Sequence, residues 1–182
     1  RSREFILLGQ ERHDYGRPDN QGYPVRSILR DGYLYQINFK PDLWPAGNPE
    51  TGYLNTDGSP TKTVILNLRR QGTDRSYWEK CFGKHPSEEL YFIPDDPECL
   101  KNLVLDPLRS KLRDEMRQIL TEQLIQQDDP RINGNGDVFD NYPFDDPACL
   151  NFYERFINGQ IKKYQTGWVN PDDYEPVPFI ER

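Results

Sequence analysis

Apolar and polar residues alternate or cluster along the chain in ways that predict a small number of elements. "EFILLG", Glu4 to Gly9, is a continuous apolar run between polar neighbours and reads as a short buried strand. "VRSILRDGYLYQINF", Val25 to Phe39, contains two β-rich runs joined by Asp31-Gly32, the pair that a type I′ hairpin turn demands. Tyr33, Tyr35, Ile37 and Phe39 then share one face of the second strand. "EELYFI", Glu88 to Ile93, is a further strand, ended by Pro94. The clearest helix is Pro107 to Gln127, with Asp106 as N-cap and Pro107 at the first helical position. Leu108, Leu112, Met116, Ile119, Leu120 and Leu124 recur at three- and four-residue steps and make one apolar face. Asp128-Asp129-Pro130 stops it.

Between these elements the pattern weakens. Lys40 to Lys62 is rich in turn formers and predicts a long loop, either functional or packed on a neighbour. Ser59-Pro60 caps a helix through about Arg70, and Asp74 to Phe82 predicts a short one. The segment after Asp128 is aromatic, acidic and turn-rich. A short helix near Pro147 to Ile157 is expected there, the rest wrapping over a surface supplied by something else. The sum is an α+β fold: a small antiparallel sheet of about four strands packed against one long amphipathic helix, with long loops and an extended tail. Residues 1–105 supply sheet and loops, 106–128 the helix and 129–182 the tail.

Composition changes this picture in three ways. The net charge is −7 and no long basic stripe offsets it, which argues against a nucleic-acid surface. No run of about 18 apolar residues exists, so no membrane span is expected. The chain opens Arg1-Ser2-Arg3-Glu4, reads as neither an initiator Met nor a signal peptide, and runs straight into a strand. We therefore expect it to be a piece of a longer protein. Cys81, Cys99 and Cys149 lack zinc-type spacing. One disulfide plus a thiol, and three buried thiols, both fit.

Candidate chemistry concentrates after the first strand, in "GQERHDYGRPDNQGYPVRSI". Arg12, His13, Asp14 and Arg17 stand just past a strand end, a common place for site residues. Arginine with histidine suits an anion such as a sulfate or carboxylate. The plainer alternative is that His13 and Asp14 bond local backbone in a turn. His85, before a proline in a polar loop, reads as surface. "DPRINGNGD" fails as a calcium loop: counted from Asp129, Arg131 stands where an oxygen ligand is needed, and counted from Asn133, Val138 stands where glycine is needed. It reads as a glycine-rich turn.

Two stretches carry a family resemblance. "EELYFIPDDPECLKNLVLDPLRSKLRDEM", Glu88 to Met116, resembles the C-terminal signature of type I sulfatases: Glu89-Leu90-Tyr91, then Asp96-Pro97, then Asn102-Leu103 before an amphipathic helix. Phe92 stands where that signature has Asp, and Glu98-Cys99 alters its spacing. "ERHDYGRPDNQGYPVRSILRDGYLYQINF" is similar to the entry into the C-terminal subdomain in the branch akin to heparan N-sulfatase. "DLWPAGNPETGYLNTDGSPTKT" and "DPRINGNGDVFDNYPF" are similar to bacterial members.

The resemblance implies a formylglycine-dependent hydrolase of the alkaline phosphatase superfamily. In it a large upstream α/β domain carries the nucleophile and a calcium ion, and a small C-terminal subdomain packs on that domain. None of the three cysteines here sits in Cys-x-Pro-x-Arg. The implied role of this chain is to complete the substrate pocket through His13, with Arg12 and Asp14 behind it, and to bind no metal itself. The implied substrate is a sulfated glycan, N-sulfoglucosamine before other sulfate esters. The implied compartment is periplasmic or extracellular in a bacterium, lysosomal in an animal. An arylsulfatase or O-sulfatase of the same family, and a non-catalytic carbohydrate-binding module, are the competing expectations.

Overall fold

The computed structural model describes residues 4–13, 16–143, 149–163 and 165–181. It is a mixed α+β fold made of two compact units. The first comprises residues 1–11, 24–41 and 86–141; the second comprises 12–23, 42–85 and 142–182.

In the first unit four strands form an antiparallel meander: β1 (Ile6–Gln10), β2 (Val25–Arg30), β3 (Tyr33–Asn38) and β4 (Glu88–Phe92), in that spatial order. The β2–β3 hairpin turns at Asp31 and Gly32, with φ of 50° and 79°. Both values are positive, as the type I′ turn requires, because its backbone twist matches that of the strands. Cross-strand register stacks Ile28, Tyr35 and Leu90 on one face. There they meet Met116, Leu120 and Leu124 of the long helix in a single core. The predicted helix is present but divided. Pro107–Arg109 is a 3₁₀ turn, and the α-helix proper spans Ser110–Gln126. Asp106 caps the turn, accepting from the Leu108 amide at 3.0 Å.

Two expectations need correction here. Leu108 does not belong to the apolar face and is 88% exposed, because the 3₁₀ turn puts it out of phase with the helix that follows. β1 is not a buried strand. It lies at the sheet edge with β2 as its neighbour, and Ile6 and Leu8 are 41% and 51% exposed. Only Phe5 and Leu7, on the helix side, join the core.

Among its described residues the second unit holds the α-helices α1 (Pro60–Gln71), α2 (Ser76–Cys81) and, with the sheet-packed helix Ser110–Gln126 numbered α3, α4 (Phe152–Ile157). Ser59 caps α1 by accepting from the Lys62 amide at 3.1 Å, and Gly72 ends it at φ 68°. Asp74 accepts from the Ser76 amide at the start of α2. Residues 147 and 148, where the last helix was expected to begin, lie outside the described residues. The long loop after β3 is largely buried from Ala46 to Leu54. Part of the tail packs on its own unit: Ile161, Val169 and Tyr174 meet Leu54 and Phe152 there. Its apolar residues are too widely spaced for a periodic signal, yet they converge on one loop residue.

Three tyrosines are buried enough to test the fold by titration. Burial pushes the Tyr35 and Tyr91 hydroxyls upward, and the Glu88 and Glu89 carboxylates they bond push further. Burial, helped by the Glu175 charge, raises Tyr53 against its bond from Trp78. A folded value above the unfolded one stabilises fully below the ordinary tyrosine range, near 10, and that stability is lost as pH rises through the raised values. In a spectrophotometric titration these three of the 11 tyrosines should stay protonated past pH ~10 and ionise together with alkaline unfolding.

Candidate functional site

The stretch after β1 closes a loop on itself in the second unit. Gly22 lies so near Arg12 that a Cβ there would stand 2.9 Å from the Arg12 backbone nitrogen. A side chain at position 22 would therefore force the loop open. Thr51 Oγ1 donates to the Gly16 carbonyl at 2.8 Å, and the Asn48 amide donates to the same oxygen. These bonds fasten the candidate stretch to the buried loop.

Arg17 is the anchor of that arrangement. It is fully buried, and its guanidinium donates to the Trp44 and Pro45 carbonyls, both at 2.7 Å, and to Gln21 at 3.4 Å. Tyr23 lies 5.8 Å from it, ring to guanidinium. Arg17, which stands in the same polar stretch, has its donors directed at loop carbonyls and shapes the loop. Arg12 is half-buried and its Nη2 donates to the Tyr142 carbonyl. His13 is exposed. Asp14 lies outside the described residues. Arg12 and His13 are consecutive on this loop, and Arg17 is fastened farther along it to the Trp44, Pro45 and Gln21 carbonyls. His85 is half-buried rather than a plain surface residue.

Glu11, one residue before Arg12, does separate work in the first unit. Arg26 Nη2 reaches it at 2.7 Å and Arg131 Nη2 at 2.8 Å. Arg26 also holds Asp129 at 2.7 Å. Burial would lower the Arg26 pKa, but the bonds from Asp129 and Glu11 outweigh it and raise the value. Asp129, in the expected glycine-rich turn, is spent on this pair and on the Arg131 amide. Asn133 bonds Asp128 at 2.6 Å, and Gly134 takes φ 77°, so the segment is a turn held by its own side chains.

Sequence reasoning missed a further buried cation in the second unit, Lys62. Lys62 Nζ donates to the carbonyls of Gly52 at 2.8 Å and Thr56 at 2.7 Å, and pairs with Asp173 at 3.3 Å. Both side chains are essentially buried, and burial lowers the Lys62 pKa despite Asp173. No local pattern marks Lys62, because a lysine in the first turn of a helix normally faces water and its acidic partner is in the distant tail.

The three cysteines form no disulfide with one another. Among the described residues no group of three or more His, Cys, Asp or Glu could hold a metal ion, and no helix is long and apolar enough to cross a membrane. Chemically, the loop offers a guanidinium and an imidazole, side chains that can donate hydrogen bonds to an anion. Compared with known proteins, the chain matches no protein-family model and no curated protein.

Proposed function

We propose that this chain is the C-terminal subdomain of a type I sulfatase acting on a sulfated glycan, with N-sulfoglucosamine the preferred unit. The observation that carries the reading is the stretch Glu88 to Met116. Each part of the resembling signature has a definite task in joining sheet to helix. Asn102 Oδ1 accepts from the Leu90 amide at 2.9 Å and the Val104 amide at 3.0 Å. The Leu103 amide returns to the Leu90 carbonyl at 2.7 Å. Asp96 receives the Leu100 and Lys101 amides, both at 2.9 Å. Asp106 then starts the helix. A motif that builds the strand-to-helix passage is what a subdomain signature should contain.

A second observation is consistent with docking on a larger upstream α/β domain. An apolar groove of about 390 Å³ lies along α1, lined by Pro60, Val64, Ile65, Leu68 and Tyr77. Val64 and Tyr77 are each 56% exposed. An independent module is expected to leave less apolar surface in one place.

In this reading formylglycine and calcium would supply the sulfate-cleaving chemistry upstream, and no step on this chain is assigned to them. Its own contribution is recognition. His13 would donate to a sugar hydroxyl or carboxylate beside the sulfated position, and Arg12 would add charge. A hydrogen bond to a charged group is worth about 1.5–3 kcal/mol. His13→Ala in the full-length enzyme should therefore lower kcat/KM roughly 10- to 100-fold, with the circular dichroism spectrum unchanged. Unchanged kinetics on sulfated disaccharides would sink the assignment of His13. An export route to the periplasm or cell exterior goes with this proposal.

A further inference from the structure

Within the first unit, one strand edge lacks the features that normally prevent pairing. β1 is the sheet's outer strand, and its sequence Ile6-Leu7-Leu8-Gly9-Gln10 has no charge, no proline and no bulge. Edge strands usually carry such blocks because their unpaired amides and carbonyls template another strand. Four of these five residues are exposed, Gly9 and Gln10 included. Beside this edge runs a cleft of about 340 Å³, lined by residues 7–11 together with Arg26, Leu124, Gln127, Asp129 and Phe139. At Gly9 the helix-side face is covered by the Arg26 side chain, which would stand 3.3 Å from a Cβ there.

We infer that β1 pairs antiparallel with β1 of a second copy, extending each four-stranded sheet into one continuous eight-stranded sheet across a two-fold axis. Self-complementarity selects this occupant. With Leu8 opposite Leu8 on the axis, Leu7 falls opposite Gly9, twice. Leu7 is a helix-side residue packed against its own core, so on that face each leucine is set against a residue without a side chain and no two large side chains oppose each other. On the other face the two Leu8 side chains meet, flanked by Ile6 and Gln10. No like charges oppose each other anywhere along the strand. An isologous contact of this kind closes at two and does not propagate.

The inference does not rest on the sulfatase reading. It is tested by sedimentation velocity on the full-length protein. Wild type should be a dimer. Leu8→Lys sets two ammonium groups face to face and should raise the dissociation constant at least about tenfold, with far-UV circular dichroism unchanged. Leu8 is exposed, so the fold should tolerate the change. The register is tested by Leu8→Cys: directly opposite Cβ atoms stand about 5 Å apart, so mild oxidation should link two copies through position 8. Ile6→Cys should link at least about tenfold more slowly, its opposite residue being Gln10. A wild-type monomer at about 100 µM, where even a weak interface fills, would overturn the inference. So would a dimer indifferent to Leu8→Lys, or equal cross-linking at positions 6 and 8.

Discussion

Lys62→Met should lower the stability of the protein by about 3–5 kcal/mol, the usual cost of breaking a buried ion pair from one side. Methionine keeps the packed stem but removes the ammonium. Among the described residues Asp173, fully buried, then keeps the Asn170 amide as the donor to Oδ2, and its Oδ1 already lacks a hydrogen-bond partner. The Gly52 and Thr56 carbonyls lose their donor as well. Urea unfolding should show a lower midpoint, with the slope unchanged if the denatured state is unaffected. Adding Asp173→Asn in the Lys62→Met background should recover much of the loss, because the uncompensated charge is gone. A double variant that is no better than the single one would mean that the cage of carbonyls, and not the ion pair, carries the effect.

Trp78→Ala should cost a similar amount, about 3–5 kcal/mol, for a different reason. Trp78 is fully buried at the centre of an aromatic group with Trp44, Tyr53 and Phe82. Its Nε1 donates to the Tyr53 hydroxyl at 3.0 Å. The Arg69 guanidinium lies 4.9 Å from the Trp78 ring and 4.8 Å from Phe179, between two π faces. Truncation removes the ring, leaves a cavity, and strips the Tyr53 oxygen of a donor. Trp78→Phe keeps most of the volume and should cost clearly less. Equal losses for the two variants would place the energy in the Nε1 bond and not in packing.

These two residues also mark what the chain's sequence makes legible. Local signals read well. Asp31-Gly32 specifies its turn because both conformations are dictated within two residues. Asp106-Pro107 and Ser59-Pro60 start their helices because a cap needs only a neighbouring amide. The stripe from Leu112 to Leu124 is read correctly because packing repeats every three or four residues, while Leu108 fails because one 3₁₀ turn breaks that phase. β1 was expected to be buried because a continuous apolar run looks the same at a sheet's centre and at its edge. Position in the sheet depends on the order of all four strands, which no single run encodes.

The candidate loop shows the same division. Arg12 and His13 are visible as polar residues after a strand, and they do lie on one loop. The burial of Arg17 is not visible, because its acceptors are the carbonyls of Trp44 and Pro45, and backbone acceptors have no sequence signature. Lys62 and Asp173 are hidden for the same reason, with a partner in the far tail. The signature from Glu89 to Leu103 is legible because its tasks are local: Asn102 and Asp96 bond amides within the same passage.

The central claim, a sulfatase subdomain, is tested most directly by mass spectrometry of the full-length gene product. Peptides upstream of Arg1 are mapped for a Cys/Ser-x-Pro-x-Arg site, and sulfate release from N-sulfoglucosamine-containing disaccharides is measured on the same preparation. The account predicts a formylglycine at that site and release of sulfate. A natural product that begins near Arg1, or an upstream region without formylglycine and without sulfate release, would contradict it and leave a non-catalytic binding module.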